Sequence, residues 1–250
     1  MIVAVVQARM GSTRLPNKVL LPLGKKTIIE QVVDRSMSTK TIDKVVVATT
    51  TQEKDDKLAE LCKKKGYIYY RGSVNDVLDR YYQAAKKAGA KHVVRITGDC
   101  PLVDPEIIDY VIGQYLKKKV DYVSNSRPST TYPDGLNVEV FSFKVLEKTW
   151  KEAKLQSERE HVTPYVWKNP KIFKLLEVKN DEDLSGHRWT IDEKDDYKLL
   201  KNIFDNVKDL SMGGVVSYLN ANPDVRKLNA KIIRDASYYK QIKKEKKRKK

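Results

Sequence analysis

The sequence predicts an α/β fold, a doubly wound and mostly parallel sheet with a more mixed second half. Three observations carry this. Short, wholly apolar β-branched runs alternate with amphipathic helical patterns through the first 120 residues. Those runs lack polar alternation, as expected of strands covered on both faces. Turn-forming Gly and Pro residues fall between the periodic segments rather than inside them.

In order, IVAVV (2–6) reads as a strand and TIIEQVVDRSM (27–37) as a helix. KVVVATT (44–50) is a second strand, and EKDDKLAELCKKKG (53–66) is a helix stopped by Gly66, a residue free to take the left-handed end conformation. YIYY (67–70) is a third strand before a helix at about 75–88, and HVVRI (92–96) is a fourth before the helix 105–119. Strand followed by helix, repeated, gives parallel βαβ units. Beyond residue 120, strands are expected at 121–125, 136–142 and 172–178, and helices near 143–154, 158–168 and 194–206. The stretch NSRPSTTYPDG (125–135) is a loop by composition, placed where a substrate loop would lie.

Composition narrows the classes. The chain has 250 residues, 40% of them hydrophobic, enough for one sizeable core without disulfides or structural metal. Its two cysteines, Cys62 and Cys100, form no CxxC pair, which disfavours a disulfide framework or zinc ribbon and fits a reducing, cytoplasmic setting. No apolar run reaches the ~18 residues of a membrane span. Residues 240–250 hold eight Lys/Arg against one Glu, so this terminal block supplies +7 of the +16 net charge and reads as a disordered, solvated tail. The rest of the excess is spread widely and suits a polyphosphate substrate; no specific nucleic-acid partner is expected.

Ligands of a doubly wound sheet gather at the carboxyl ends of its strands. After the first strand comes QARMGSTRLPNK (7–18), with Arg9, Arg14 and Lys18 beside the small Gly11 and Ser12. Small residues let backbone N–H groups approach phosphate oxygens, and the cations offset triphosphate charge. There is no GxGxxG, and GKKT (24–27) lacks the earlier glycine of a Walker loop. After the fourth strand, TGDCP places Asp99 behind Gly98, and RWTIDEKDD delivers Asp192 just before a helix. Such carboxylates can share a magnesium ion with phosphate oxygens; Asp192 alone would more often serve as a helix cap, and the pair opposite the cationic loop carries the reading.

These motifs resemble a known family. ARMGSTRLPNKVL, with YRGSVNDVLDRYYQAA (70–85), RITGDCPLVDP (95–105), YPDGLNVEVF (132–141), EREHVTPYVW (158–167) and HRWTIDEKDDYKLL (187–200), is similar to the cytidylyltransferases that make CMP-3-deoxy-manno-octulosonate and CMP-sialic acid. It most resembles their spore-coat polysaccharide relatives. The resemblance implies a nucleotide-diphospho-sugar transferase fold, a single domain over 1–239, and CTP plus a sugar as substrates. It divides that domain into a nucleotide-binding half (about 1–120), a sugar-binding and dimerisation half (about 121–205) and C-terminal helices (about 206–239). It implies Arg9 and Lys18 on the triphosphate with Arg14 nearby, Ala8 and Gly11 beside the nucleotide, and Asp99 and Asp192 as Mg²⁺ ligands. Homodimerisation and a role in surface polysaccharide synthesis also come from it. RGSVNDVLDR replaces the motif that reads cytosine in the octulosonate enzymes, which leaves base preference open.

For the sugar, two-residue alternation puts Asn137 and Glu139 on one strand face, and Arg159, Glu160 and His161 open a helix that Ser157 could cap. A half-buried strand face and a capping box are the competing structural roles. His92 reads as structural, His187 as a surface residue, Cys100 as a packed small hydrophobe, and Trp150 and Trp167 as core or interface. The alternative function is a glycosyltransferase using a nucleotide sugar, with Asp181 and Asp183 as its metal pair; the triphosphate-sized cationic loop favours the synthetase.

Overall fold

The computed structural model describes residues 1–248 of the chain. Its elements in order are β1 (Ile2–Gln7), β2 (Pro22–Leu23), β3 (Lys26–Thr27), α1 (Ile28–Met37), β4 (Lys44–Thr50), α2 (Asp56–Lys65), β5 (Ile68–Gly72), α3 (Val77–Ala88), β6 (His92–Thr97) and α4 (Pro105–Lys118). There follow β7 (Tyr122–Ser124), β8 (Glu139–Ser142), α5 (Phe143–Glu152), α6 (Gln156–His161), α7 (Pro164–Trp167), β9 (Leu175–Glu177), α8 (Lys194–Asn206), α9 (Met212–Ala221), α10 (Pro223–Arg226) and α11 (Ala236–Arg248).

Seven strands form one sheet in the order β5-β4-β1-β6-β8-β7-β9. β5, β4, β1 and β6 run parallel, β8 pairs antiparallel with both β6 and β7, and β9 rejoins in parallel with β7. Alternation along β1 divides the core. Ala4 and Val6 meet α1, α4 and α8 on one face, whereas Val3 and Val5 meet α3 and α5 on the other. Strand order reverses direction at β1, where chain connections leave toward β4 on one side and β6 on the other. This switch point opens a crevice at the carboxyl ends of β1 and β6.

GKKT, the segment that fails as a Walker loop, makes the β2–β3 hairpin turn with Gly24 at φ 60°. Its Thr27 then caps α1: Thr27 Oγ1 accepts from Glu30 N, and Glu30 accepts from Thr27 N at 2.8 Å. No helix among the described residues is long and apolar enough to cross a membrane.

Two local expectations give way. The helix expected over 158–168 is two short ones, α6 and α7, broken at Val162, which takes φ 71°. Ser157 is not its cap. The chain enters α6 earlier, and Glu158 accepts from the N–H groups of Lys154 and Leu155, both at 3.1 Å. The basic stretch from 240 is not a free tail through Arg248 but the body of α11; residues 249–250 lie outside the described residues. Tyr238 is buried against His161 and Trp167, Gln241 bonds Glu160 and His161, and Glu245 receives both the N–H and the hydroxyl of Ser157. Lysine is a good helix former, so these anchors suffice to order a charged segment.

Candidate active site

The loop after β1 is held from below. Ala8 N–H donates to Ala48 O at 3.2 Å, and Met10 N–H donates to Asp55 Oδ1 at 2.6 Å. Asp55 is fully buried, and its second oxygen accepts from the Thr50 hydroxyl at the end of β4. Thus a carboxylate from the next βα unit fixes the first turn of the loop. Ser12 Oγ then accepts from Leu15 N, and Asn17 takes a left-handed φ of 58° that turns Lys18 inward. Lys54 lies over Gly11; a β-carbon there would stand 2.9 Å from its Nζ, so glycine makes room for an additional cation at the loop. Arg9 and Arg14 are exposed.

Lys18 is buried and its ammonium converges three oxygens: Asp99 Oδ2 at 2.7 Å, Ile191 O at 2.7 Å and Asp192 Oδ1 at 2.9 Å. Burial works against its charge, but Asp99 and Asp192 outweigh that and raise its pKa above the ordinary lysine value. Burial would likewise push Asp192 up; Lys18, then Arg14 and Arg188, reverse the sign and hold it at about 2. Arg14 Nη2 reaches Asp192 Oδ1 at 3.0 Å, and its Nη1 reaches Glu193 at 3.3 Å. Gly98 permits the approach of β6 to the loop, because a β-carbon would meet Gln7 O at 2.7 Å and Ala8 Cβ at 2.8 Å.

Behind Asp192 lies Arg188, which donates to Asp134 Oδ2 (2.8 Å), Asp192 Oδ2 (3.0 Å) and Asp196 Oδ1 (3.0 Å). Asn229 closes this network by donating to Arg188 O and to Asp196 Oδ1. Gly135, at φ 109°, lets the Asp134 strand pass the Trp189 carbonyl carbon, which a β-carbon would approach to 2.6 Å. Burial raises the Asp134 pKa despite Arg234 and Arg188.

Asp99 and Asp192 turn two carboxylates toward one point, which the Lys18 ammonium fills; two carboxylates with phosphate oxygens and water are also a donor set that a divalent ion takes. No group of three or more His, Cys, Asp or Glu side chains suited to a metal occurs among the described residues.

Of the residues the sequence singles out, the structure gathers Ala8, Arg9, Gly11, Ser12, Arg14, Lys18, Gly98, Asp99 and Asp192 at the switch point. The sugar candidates scatter. Asn137 precedes β8, bonds Asp134, and accepts from Arg234, so it joins the site through Asp134 and Arg188. Glu139 is 2% exposed, ion-paired with Arg95 and bonded by the Tyr122 hydroxyl at 2.6 Å. A carboxylate so enclosed braces β6, β7 and β8 rather than meeting solvent. Arg159 is spent on Asp76 and Trp150 O, and His161 is packed under Tyr238. His187 is buried beside Trp189, not on the surface; its carbonyl and the Asp134 N–H pair at 2.9 Å, and this bridge draws it inward. His92 meets Tyr115, Trp150 stacks on Tyr82, and Cys100 is buried, its thiol pKa pushed up by burial and Asp99. Asp181 and Asp183 lie on an exposed loop where Asp183 accepts from Ser185 N.

Asp55, Arg188, Asp134 and Asn229 have no assigned role in the sequence reading. The first hides inside a charged helical pattern, and Arg188 stands in plain view in HRWTID, four residues upstream of Asp192.

A cationic loop facing two aspartates across the switch point of such a sheet defines an α/β nucleotidyltransferase. Within that class the chain belongs to the cytidylyltransferase family, whose model, described as cytidylyltransferase, matches residues 3–244. It is 42% identical over 242 residues to an uncharacterized protein of Methanocaldococcus jannaschii, covering 95% of this chain and 97% of that one. It is 34% identical to the spore coat polysaccharide biosynthesis protein SpsF of Bacillus subtilis, over 89% of this chain and 95% of the relative. A cytidylyltransferase structure from Leptospira borgpetersenii superposes with a TM-score of 0.85 at 37% identity, covering 90% and 96% of the two chains. A CMP-2-keto-3-deoxy-manno-octonic acid synthetase structure shares the fold, with a TM-score of 0.62 at 17% identity over 82% and 98%.

Proposed function

We propose that this protein couples CTP to a sugar acid or sugar phosphate, releasing pyrophosphate, in a Mg²⁺-dependent reaction that feeds surface polysaccharide or glycan synthesis. The observation that carries the reading is the Lys18 ammonium bridging Asp99 and Asp192 opposite the cationic loop. Arg9, Arg14, the backbone N–H of Gly11 and the Ser12 hydroxyl bind the β- and γ-phosphates, and Ala8 and Gly98 flank the nucleotide. Lys18 lies where charge develops on the α-phosphate as the sugar oxygen attacks in line and the bond to pyrophosphate breaks. Magnesium held by Asp99 and Asp192 supplies Lewis-acid polarisation and a template for the phosphates. Arg188 keeps Asp192 oriented through its second oxygen. Asn137, linked to this network through Asp134, is the favoured sugar contact; Glu139, Arg159 and His161 support the sugar half from within.

The spore-coat relative supports the polysaccharide assignment, and the family resemblance supports a cytoplasmic homodimer, which light scattering on the purified protein tests. The decisive experiment incubates the protein with each nucleoside triphosphate, Mg²⁺ and a panel of sugar acids and sugar phosphates, and follows pyrophosphate. CTP-dependent release with one sugar class establishes the reaction. Stabilisation by a nucleotide sugar, with no response to any triphosphate, overturns it.

A further inference from the structure

The C-terminal helices close over a cavity that the reaction described above leaves unused. Its volume is about 370 Å³, at the small end of the roughly 300–1,000 Å³ of small-molecule sites. The buried Trp189, Leu199 and Leu219 form its floor, and the exposed Arg226, Lys227 and Ala230 stand at its mouth. No residue of the loop at 7–18 lines it, and neither does Asp99 or Asp192, so it is a compartment separate from the nucleotide site.

Charge on the wall is one-sided. No Asp or Glu lines the cavity, whereas His187, Arg188, Arg226 and Lys227 do. Arg188 is spent on Asp134, Asp192 and Asp196, and Lys227 shares Asp224 at 3.3 Å with both side chains largely in solvent. Arg226 has no carboxylate within ion-pair distance among the described residues. His187 packs its ring 5.5 Å from that of Trp189; burial, then the Arg226 charge, lowers its pKa, which leaves a neutral imidazole able to donate and accept. An apolar floor under an unpaired guanidinium suits a molecule with a compact hydrophobic body and one anionic group. The body displaces water from the floor, and a carboxylate, sulfonate or phosphate ester takes the donors of Arg226. A neutral molecule forgoes the second gain, and inorganic phosphate the first.

One wall of this cavity is also the back of the active site. Asn229, which ends the 3₁₀ turn Lys227–Asn229, lines the cavity and donates to Arg188 O at 2.9 Å and to Asp196 Oδ1 at 2.8 Å. Arg188 lines it too, and its Nη2 holds Asp192 Oδ2 at 3.0 Å. Residues 186–189 and 223–232 thus face each other across the space. Among the described residues, the Asn229–Arg188 bond is the one hydrogen bond between them. A molecule seated there gives the two stretches further shared contacts, and so favours the arrangement in which the clamp on Asp192 is made.

We propose that the cavity is an effector site for a small organic anion, and that its occupation tightens CTP binding at the active site. The first half stands on the cavity alone; the second rests on the cytidylyltransferase reading. Such coupling is reciprocal, so CTP tightens the anion by the same factor.

The probe is 8-anilinonaphthalene-1-sulfonate, an anion on an apolar body, with the uncharged N-phenyl-1-naphthylamine as its control. In fluorescence titrations of the full-length protein the sulfonate binds about 10- to 100-fold more tightly than the neutral compound, the span of a charge-assisted bond. Arg226→Glu removes that preference. Ala230→Trp, at an exposed position on the mouth, fills the space and abolishes binding of both; thermal unfolding checks that each variant folds. Of the three tryptophan indole N–H resonances, that of Trp189 shifts on binding, while Trp150, stacked on Tyr82, and Trp167, against Tyr238, keep theirs. This wild-type signal decides the site where a variant fails to fold. Calorimetry with CTP and Mg²⁺ then gives about 5-fold tighter CTP binding at saturating sulfonate, and no change in Ala230→Trp. Equal affinity for the charged and uncharged compounds, a silent Trp189 resonance, or binding that survives Ala230→Trp overturns the effector site. Competition between the sulfonate and CTP overturns it too, by placing the probe in the nucleotide site. Unchanged CTP affinity with the cavity filled overturns the coupling. If the wild type binds no triphosphate, the cytidylyltransferase reading falls, and the titrations and the Trp189 resonance still decide the cavity.

Discussion

Arg188 Nη2 stands 3.0 Å from Asp192 Oδ2, while Lys18 holds the other oxygen of the same carboxylate. One aspartate is thus fixed from both sides, by Lys18 of the loop after β1 and by Arg188 behind it. Arg188→Met leaves the wholly buried Asp196 without its arginine and Asp134 with Arg234 alone, at 3.6 Å. Breaking a buried ion network this way costs about 3–5 kcal/mol, read as a lower midpoint in urea unfolding. An unchanged midpoint refutes the structural role given to Arg188.

Lys18→Ala and Asp99→Asn are expected to lower kcat about 10²–10³-fold with circular dichroism unchanged. Pyrophosphate release at saturating CTP measures it. Near-normal turnover in either variant removes that residue from the chemistry.

Acid should unfold the protein in part through Asp192. Its folded pKa of about 2 lies below the ordinary carboxylate value near 3.9, so its contribution is present above about pH 4 and is lost as pH falls toward 2. The shift corresponds to stability on the order of 2 kcal/mol. In Lys18→Met the acid limb of Tm against pH becomes shallower; an identical limb contradicts the pairing.

Asp55→Ala frees the Met10 N–H and the Thr50 hydroxyl. The expected result is a KM for CTP raised about 10-fold and stability reduced by about 1–3 kcal/mol, the cost of stranding buried polar groups. A variant that lost stability alone, with KM unmoved, would separate Asp55 from the loop's function.

Truncation after residue 239 removes Gln241 and Glu245, and with them the partners of Glu160, His161 and Ser157. We expect a modest loss of stability, about 1 kcal/mol for each bond, and retained CTP binding by calorimetry. Loss of CTP binding on truncation would tie α11 to the nucleotide half instead.

The parallel half of the fold was legible because the centres of β1 and β4 are unbroken apolar runs and β6 departs from one only at Arg95, a pattern that a doubly covered sheet accommodates. That the loop at 7–18 and Asp99 lie together was legible because both follow parallel strands, β1 and β6, a rule that needs only element order; Asp192 follows no strand and is brought there by the Ile191 N–H donating to Asp99 O at 2.8 Å. What escaped depends on partners distant in sequence. Glu139 resembles a polar residue on an open strand until Arg95 and Tyr122 close around it. The terminal segment reads as disordered until Tyr238 and Glu245 dock against α6 and α7, its lysines staying exposed. Asp55 is one acidic residue among several in EKDDKLAEL, and only its burial beneath Met10 distinguishes it.

Asn229 clamps Arg188 and Asp196, which in turn steady the aspartate opposite Lys18. The site therefore draws on both early and late parts of the chain. The position of Asp192 is therefore set by a contact between segments some forty residues apart, and it is complete only once the stretch around Asn229 has packed back onto Arg188.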